Sequence, residues 1–112
     1  MSKSIFLFEI NKDFESLKKD NNIDIEIIKN NIINYFKNKE NIIFKNDSFI
    51  IHNNYKETDE EIYFYNNHLK IIYHDKSIFL EYLSMYFINL LAIELEDKKI
   101  YPLYLVKSNI LV

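Results

Sequence analysis

The sequence contains no glycine, cysteine, arginine or tryptophan, and it has a single proline. Without cysteine the chain can form neither a disulfide bond nor a cysteine metal site, and this fits a reducing compartment such as the cytoplasm. Without glycine it lacks the loops that cradle phosphate groups, and tight turns that need a positive φ must use Asn or Asp. Without arginine, bidentate recognition of phosphate or guanine is excluded.

The residues that are abundant instead are Ile, Asn, Lys, Tyr and Phe, whose codons are rich in A and T, so the composition indicates a gene of low G+C content. The 112 residues predict a single α+β domain (1–112) that is long enough to bury a core. The net charge is −3 and the lysines are dispersed without a basic patch, so no direct nucleic-acid binding is expected. The N-terminal apolar run is short and lacks a cleavage site, which favours a strand over a signal peptide.

The dominant stretch of the chain is residues 77–96, the longest apolar run, SIFLEYLSMYFINLLAIELE. At helical spacing it predicts a long helix, capped by Ser77, that is apolar over most of its circumference and needs cover on more than one side. Residues 92–96 alternate between apolar and charged, which leaves a second interpretation open. In that case the helix ends near Leu91 and a strand follows, forming a hairpin with residues 100–106.

The same stretch is also a candidate membrane segment. Its apolar part, residues 78–93, is shorter than a membrane span and contains Glu81, Ser84 and Asn89. We therefore expect no membrane association.

Two further segments alternate around a two-residue turn, at 46–47 and at 66–67, and predict antiparallel hairpins. The large apolar pairs expected on one face are Phe44 with Phe49, Ile42 with Ile51, Phe64 with Leu69, and Ile62 with Ile71. Strands at 4–10 and 100–106 and a helix at 25–39 complete the prediction. The expected fold is a mainly antiparallel sheet, two Asn-turn hairpins plus terminal strands, with a long apolar and a shorter amphipathic helix on one side.

The opposite face of the hairpins carries more large side chains than a solvated face normally does. Either the first helix or a partner covers it. The acidic run 57–61, ETDEE, lies beside this face and is either a solvated loop or a contact for a basic partner. The candidate partner-binding residues are Glu57, Asp59, Glu60, Glu61, Tyr63, Tyr65, His68 and Lys70.

No catalytic or metal-binding set is recognisable. His68 and His74 share a strand face but lie about 20 Å apart, too far to bind one metal ion, and His52 depends on a favourable loop conformation. The serines are not paired with a histidine and an acid in any assignable way. We therefore expect no enzyme activity and no cofactor.

By elimination, the sequence favours a small non-enzymatic binding protein that inhibits a partner protein. The leading hypothesis is an immunity protein that neutralises a cognate bacterial toxin, such as a basic nuclease domain. One alternative is a homodimeric scaffold or chaperone-like module that buries the apolar surface of residues 77–96 against its own copy or a client. Another is a phage- or virus-encoded inhibitor of a host defence protein.

Overall fold

The computed structural model describes residues 2–9, 25–38, 41–53, 58–87 and 89–106, and within them the fold is α+β. The strands are β1 (Lys3–Glu9), β2 (Ile42–Phe44), β3 (Ser48–Asn53), β4 (Thr58–Phe64), β5 (Leu69–Tyr73), β6 (Leu90–Glu94) and β7 (Lys99–Pro102). The helices are α1 (Ile25–Phe36) and α2 (Ile78–Tyr86), and a short 3-10 turn follows at Leu103–Leu105.

The seven strands form one antiparallel sheet in the order β2-β3-β4-β5-β1-β6-β7. β1 lies inside the sheet, where Ile5 is in register with Ile71 on one side and with Glu94 on the other. A strand with large apolar residues on both faces suits this interior position. The strand with Pro102 is at an edge, where a residue that cannot donate a ladder hydrogen bond is tolerated.

The two predicted hairpins are β2–β3 and β4–β5, and all four predicted apolar pairs are neighbours in register. In each hairpin, a backbone hydrogen bond also joins the two residues that flank the turn. The Lys45 N–H donates to the Ser48 carbonyl at 2.9 Å, and the Tyr65 N–H donates to the His68 carbonyl at 3.0 Å. Among the described residues, however, the one with a positive φ is Lys98, at 53°, and not an Asn or Asp.

The prediction of one long helix over residues 77–96 is wrong, and the second interpretation, a helix followed by a strand, is correct. Ser77 caps α2 by accepting a hydrogen bond from the Leu80 N–H at 3.0 Å. The helix ends at Tyr86, and Phe87 is already extended with φ −129°. Residues 90–94 form β6 between β1 and β7. The break comes earlier than predicted because β6 lies inside the sheet, where apolar residues on both faces suit a strand as well as a helix.

Both helices cover the same face of the sheet, here called the inner face. Phe36 of α1 is buried and lies edge-on to Phe79 and Tyr82 of α2, at 5.6 and 5.7 Å between ring centroids. The amine of Lys29 lies 5.5 Å from the ring of Phe64, an inner-face residue of β4. The expected pair of helices on one side is therefore present. The alternative in which the first helix covers the opposite face is wrong.

Candidate protein-binding surface

The opposite side of the sheet, here called the outer face, carries large side chains on all seven described strands. Register and alternation place on it Ile43, Ile50, Tyr63, Lys70, Ile72, Phe6, Phe8, Leu91, Ile93 and Ile100. Ile43 and Ile100, on the two edge strands, are well exposed. Within the described residues both helices lie over the inner face, so this surface has no helical cover.

An aromatic stack lies on the outer face beside the β4–β5 turn, which Tyr65 and His68 flank. The imidazole of His68 is sandwiched between two rings, with centroids 4.7 Å from Tyr65 and 5.1 Å from Phe8, and both pairs are close to parallel. Phe6 adds a tilted contact at 5.8 Å. Partial burial by these neighbours lowers the pKa of His68 below its ordinary value, because the charged imidazolium loses hydration. The stacked position therefore favours the neutral form of the imidazole.

Beside the stack, Tyr63 connects the aromatic and the acidic parts of the outer face. Its hydroxyl donates a hydrogen bond to the carboxylate of Glu61, two residues earlier on the same face of β4. This bond, together with burial, raises the pKa of Tyr63 to about 12. Across the strand pair, Tyr63 is in register with Lys70, whose amine lies 5.6 Å from the ring of Phe6. The lysine thus lies over an aromatic face.

The acidic end of the outer face is formed by Glu61 and Asp59. Asp59 is in register with His52, and its carboxylate lies 2.7 Å from Nδ1 of that histidine. Both side chains are substantially exposed, so their interaction contributes little to stability. It does hold the Asp59 carboxylate on the outer face.

Glu60, by contrast, lies on the inner face and is buried. Its carboxylate accepts hydrogen bonds from the Ser77 hydroxyl, from the Ile78 N–H at 2.8 Å and from the Phe79 N–H at 3.0 Å. These donors belong to the first turn of α2 and to its cap. Glu60 thus joins β4 to the N-terminus of α2, where a carboxylate complements the helix dipole. Because its side chain is buried on the inner face, Glu60 is not part of the candidate partner-binding surface.

The structure therefore brings together six of the eight predicted residues on the outer face, at Asp59, Glu61, Tyr63, Tyr65, His68 and Lys70. It separates Glu60 from them. Glu57 lies outside the described residues. Strand alternation predicts the inward position of Glu60, because residues 60, 62 and 64 lie on the same face of a strand and Ile62 and Phe64 are predicted core residues.

Sequence reasoning missed Phe6 and Phe8 as surface residues. The predicted strand at 4–10 is apolar on both faces, which is typical of a buried strand, but in the described structure only the inner face of β1 is covered by helices. It also missed an aromatic cluster on the helical side. There Tyr35, Tyr82 and Tyr86 contact one another, with centroids 4.5 to 6.1 Å apart, and Tyr35 and Tyr86 are exposed. The only signal for it was the helical spacing of Tyr82 and Tyr86.

A cleft of about 400 Å³ lies between α1 and the tips of the two hairpins. Its lining mixes Glu26, Lys29 and Asp47 with Phe64 and Tyr65, unlike the mostly apolar lining of a small-molecule site.

Within the described ranges, no three His, Asp or Glu side chains are grouped as metal ligands. In the same part of the chain, neither helix is long and apolar enough to cross a membrane.

No model of a known protein family matches the chain. A search of curated protein sequences also finds no match.

Proposed function

We propose that the protein is a small binding protein that inhibits a partner protein through the outer face of its sheet, as an immunity protein neutralises a cognate bacterial toxin. The observation that carries the proposal is that six of the predicted partner-binding residues lie together on a face that neither of the two helices described in the structure covers. The inner face, which both helices cover, carries the buried core, and Phe6, Phe8 and Tyr63 are not among the buried core residues.

The chemistry of the outer face suits a protein partner. Tyrosine is enriched among the residues that dominate binding energy, because it combines a large apolar surface with a hydrogen-bonding group. Tyr63 and Tyr65 lie on the same strand face beside His68, with the carboxylates of Glu61 and Asp59 at one end. An aromatic cluster with acidic side chains farther along the same face favours a basic partner, since opposite charges speed association and the aromatic residues slow dissociation.

A basic toxin domain, such as a nuclease, fits this description. Inhibition would require only that the outer face cover the toxin's active site or substrate-binding surface. The net charge of −3 is consistent with attraction to such a domain.

The test is affinity capture of the tagged protein from its own host at moderate salt, with three versions of the chain. The first is the wild type, and the second carries Asp59→Lys and Glu61→Lys on the outer face. The third is a control of equal net charge, with Glu26→Lys on α1 and Asp97→Lys in the β6–β7 turn, both exposed positions away from this face. Any co-purified partner is then assayed for inhibition of its activity.

We expect a stoichiometric partner with the wild type and the control, its loss with the outer-face variant, and inhibition of the partner's activity in the assay. A partner that the outer-face variant retains would place the interface elsewhere. Recovery of the protein only with itself would refute the inhibitor function and favour a self-assembling module.

A further inference from the structure

The two edges of the sheet differ in how they are protected against pairing with another strand. At one edge, β7 begins at Lys99 and ends at Pro102, and lysine and proline are residues that discourage strand addition. At the other edge, β2 has the sequence Ile-Ile-Phe, without a charge or a proline. The Ile43 side chain at its centre is 58% exposed. Although β2 is only three residues long, it is, within the described sheet, the edge that has no charge or proline to discourage another strand.

The backbone hydrogen bonds of the β2–β3 hairpin define which groups of β2 point outward. The Lys45 N–H donates to the Ser48 carbonyl, and the His52 N–H donates to the Asn41 carbonyl, both at 2.9 Å. In an antiparallel ladder such pairs alternate, so residues 41, 43 and 45 direct their backbone groups toward β3. The N–H and C=O groups of Ile42 and Phe44 therefore point away from the sheet, with no strand beside them among the described residues.

We propose that β2 pairs in antiparallel fashion with β2 of a second copy of this chain, about a two-fold axis that passes beside Ile43. In this register Ile42 of each copy lies opposite Phe44 of the other, and each pair exchanges N–H···O bonds in both directions. All outward-pointing backbone groups of the strand are then satisfied. The strand is self-complementary because its open groups lie symmetrically about its central residue, which is the requirement for an isologous two-fold interface.

The side chains and charges at this edge fit the same arrangement. The two copies of Ile43 face each other on the outer face as a non-hydrogen-bonded pair, the type in which side chains approach most closely. Lys45 lies opposite Asn41 of the second copy, so no like charges meet in the register. Because the axis is perpendicular to the sheet, both outer faces remain open on the same side. Dimerisation is thus compatible with the proposed partner binding and independent of it.

The first test is light scattering on a dilution series from about 1 µM to about 1 mM, the range of weak association. Ile43→Lys places a charge at the two-fold axis, and Ile100→Lys is the matched control on the opposite edge of the same face, where Ile100 is 68% exposed. We expect a concentration-dependent dimer for the wild type and for Ile100→Lys, and a monomer for Ile43→Lys. A wild type that stays monomeric throughout, or a dimer that survives Ile43→Lys, would overturn the proposal.

The second test uses the absence of native cysteine, which gives single-cysteine variants a clean background. In a non-hydrogen-bonded pair the Cα atoms are about 4.5 Å apart, within the range that a disulfide accepts. We expect Ile43→Cys to form an intermolecular disulfide under mild oxidation at least tenfold faster than Ile100→Cys, and to form it more slowly on dilution. Equal rates for the two variants would contradict the proposed register.

Discussion

The buried carboxylate of Glu60 provides the sharpest test of the physical reasoning, because its surroundings act on its charge in opposite directions. The Ser77 hydroxyl and the N–H groups of Ile78 and Phe79 donate to it and favour the ionised form. Burial disfavours that form, because the charge loses its hydration. Burial is the larger effect and raises the pKa of Glu60 from its ordinary value of 4.5 to about 7.

The sign of the resulting pH dependence follows from proton counting. Between pH 4.5 and about 7 the folded protein holds a proton on Glu60 that the unfolded chain has already released. The free energy of unfolding therefore decreases as the pH rises through this interval, and it levels off above it because both states are then ionised. At about 1.4 kcal/mol per pH unit, the contribution of Glu60 falls by about 3 kcal/mol across the interval.

The experiment compares the wild type with Glu60→Gln, whose amide matches the protonated carboxyl in size and cannot ionise. Urea denaturation is followed by far-ultraviolet circular dichroism, which suits a chain without tryptophan, at pH values from about 4 to about 8. Subtracting one pH profile from the other removes the contributions of the remaining acidic groups. We expect the advantage of the wild type over the variant to shrink by about 3 kcal/mol between pH 4.5 and 7.

A difference profile that is flat would mean that Glu60 has the same pKa in both states. One that rises with pH would mean that the three donors and the α2 dipole outweigh burial and hold the pKa below its ordinary value. Either result would refute the conclusion that burial is the dominant effect at this site.

Three further predictions concern stability, measured by urea denaturation at pH 7. Ser77→Ala removes the cap of α2 and should lower the free energy of unfolding by about 1 to 2 kcal/mol; Ser84→Ala, which removes a hydroxyl inside the same helix, should cost less, and equal losses would contradict the capping role. Phe36→Ala should cost about 3 to 5 kcal/mol, because it leaves a cavity between α1 and α2. Tyr35, the exposed neighbour of Phe36, provides the control. If α1 packs as described, Tyr35→Ala should lower the free energy of unfolding by less than half as much as Phe36→Ala. Lys98→Asn should stabilise the protein by a few tenths to about 1 kcal/mol, because asparagine tolerates a positive φ better than lysine. A loss of stability on this change would mean that the lysine side chain has a role of its own.

The parts of the fold that sequence predicts best are those where local pattern and global packing agree. Both hairpin registers were predictable because each places its large apolar residues on a single face, and a shift by one residue would reverse every side chain. The position of β1 inside the sheet was predictable for a related reason, since a strand apolar on both faces needs neighbours on both sides.

The helix-to-strand transition after Tyr86 could not be located in the same way. Residues 87–91 are FINLL, almost uniformly apolar, and contain neither glycine nor proline to mark a break. Such a run suits a buried helix and an interior strand equally well, and the neighbouring strand β1 decides between them. The strand became visible in the sequence only from Ala92 onward, where apolar and charged residues alternate.

The candidate site was predicted in part, for a comparable reason. Tyr63, Tyr65, His68 and Lys70 follow from the alternation within one hairpin, whereas Phe6 and Phe8 come from a strand distant in sequence, which only the sheet order brings beside them. Grouping the candidate residues by charge was misleading, because a strand directs consecutive acidic residues to opposite faces of the sheet.

The interior position of β1 has a consequence for the synthesis and folding of the chain. Of the described strands, β1 is translated first, but both of its neighbours, β5 and β6, lie in the second half of the given sequence. The hairpin β2–β3 and the strand β4 can assemble from local contacts before β1 has either of these neighbours. Once β5 has been translated, β1 can pair on one side, and its other side stays unpaired until β6 follows. Before β5 appears, Ile5 and Leu7, which are buried in the folded protein, are exposed, and during that time the chain is most vulnerable to aggregation.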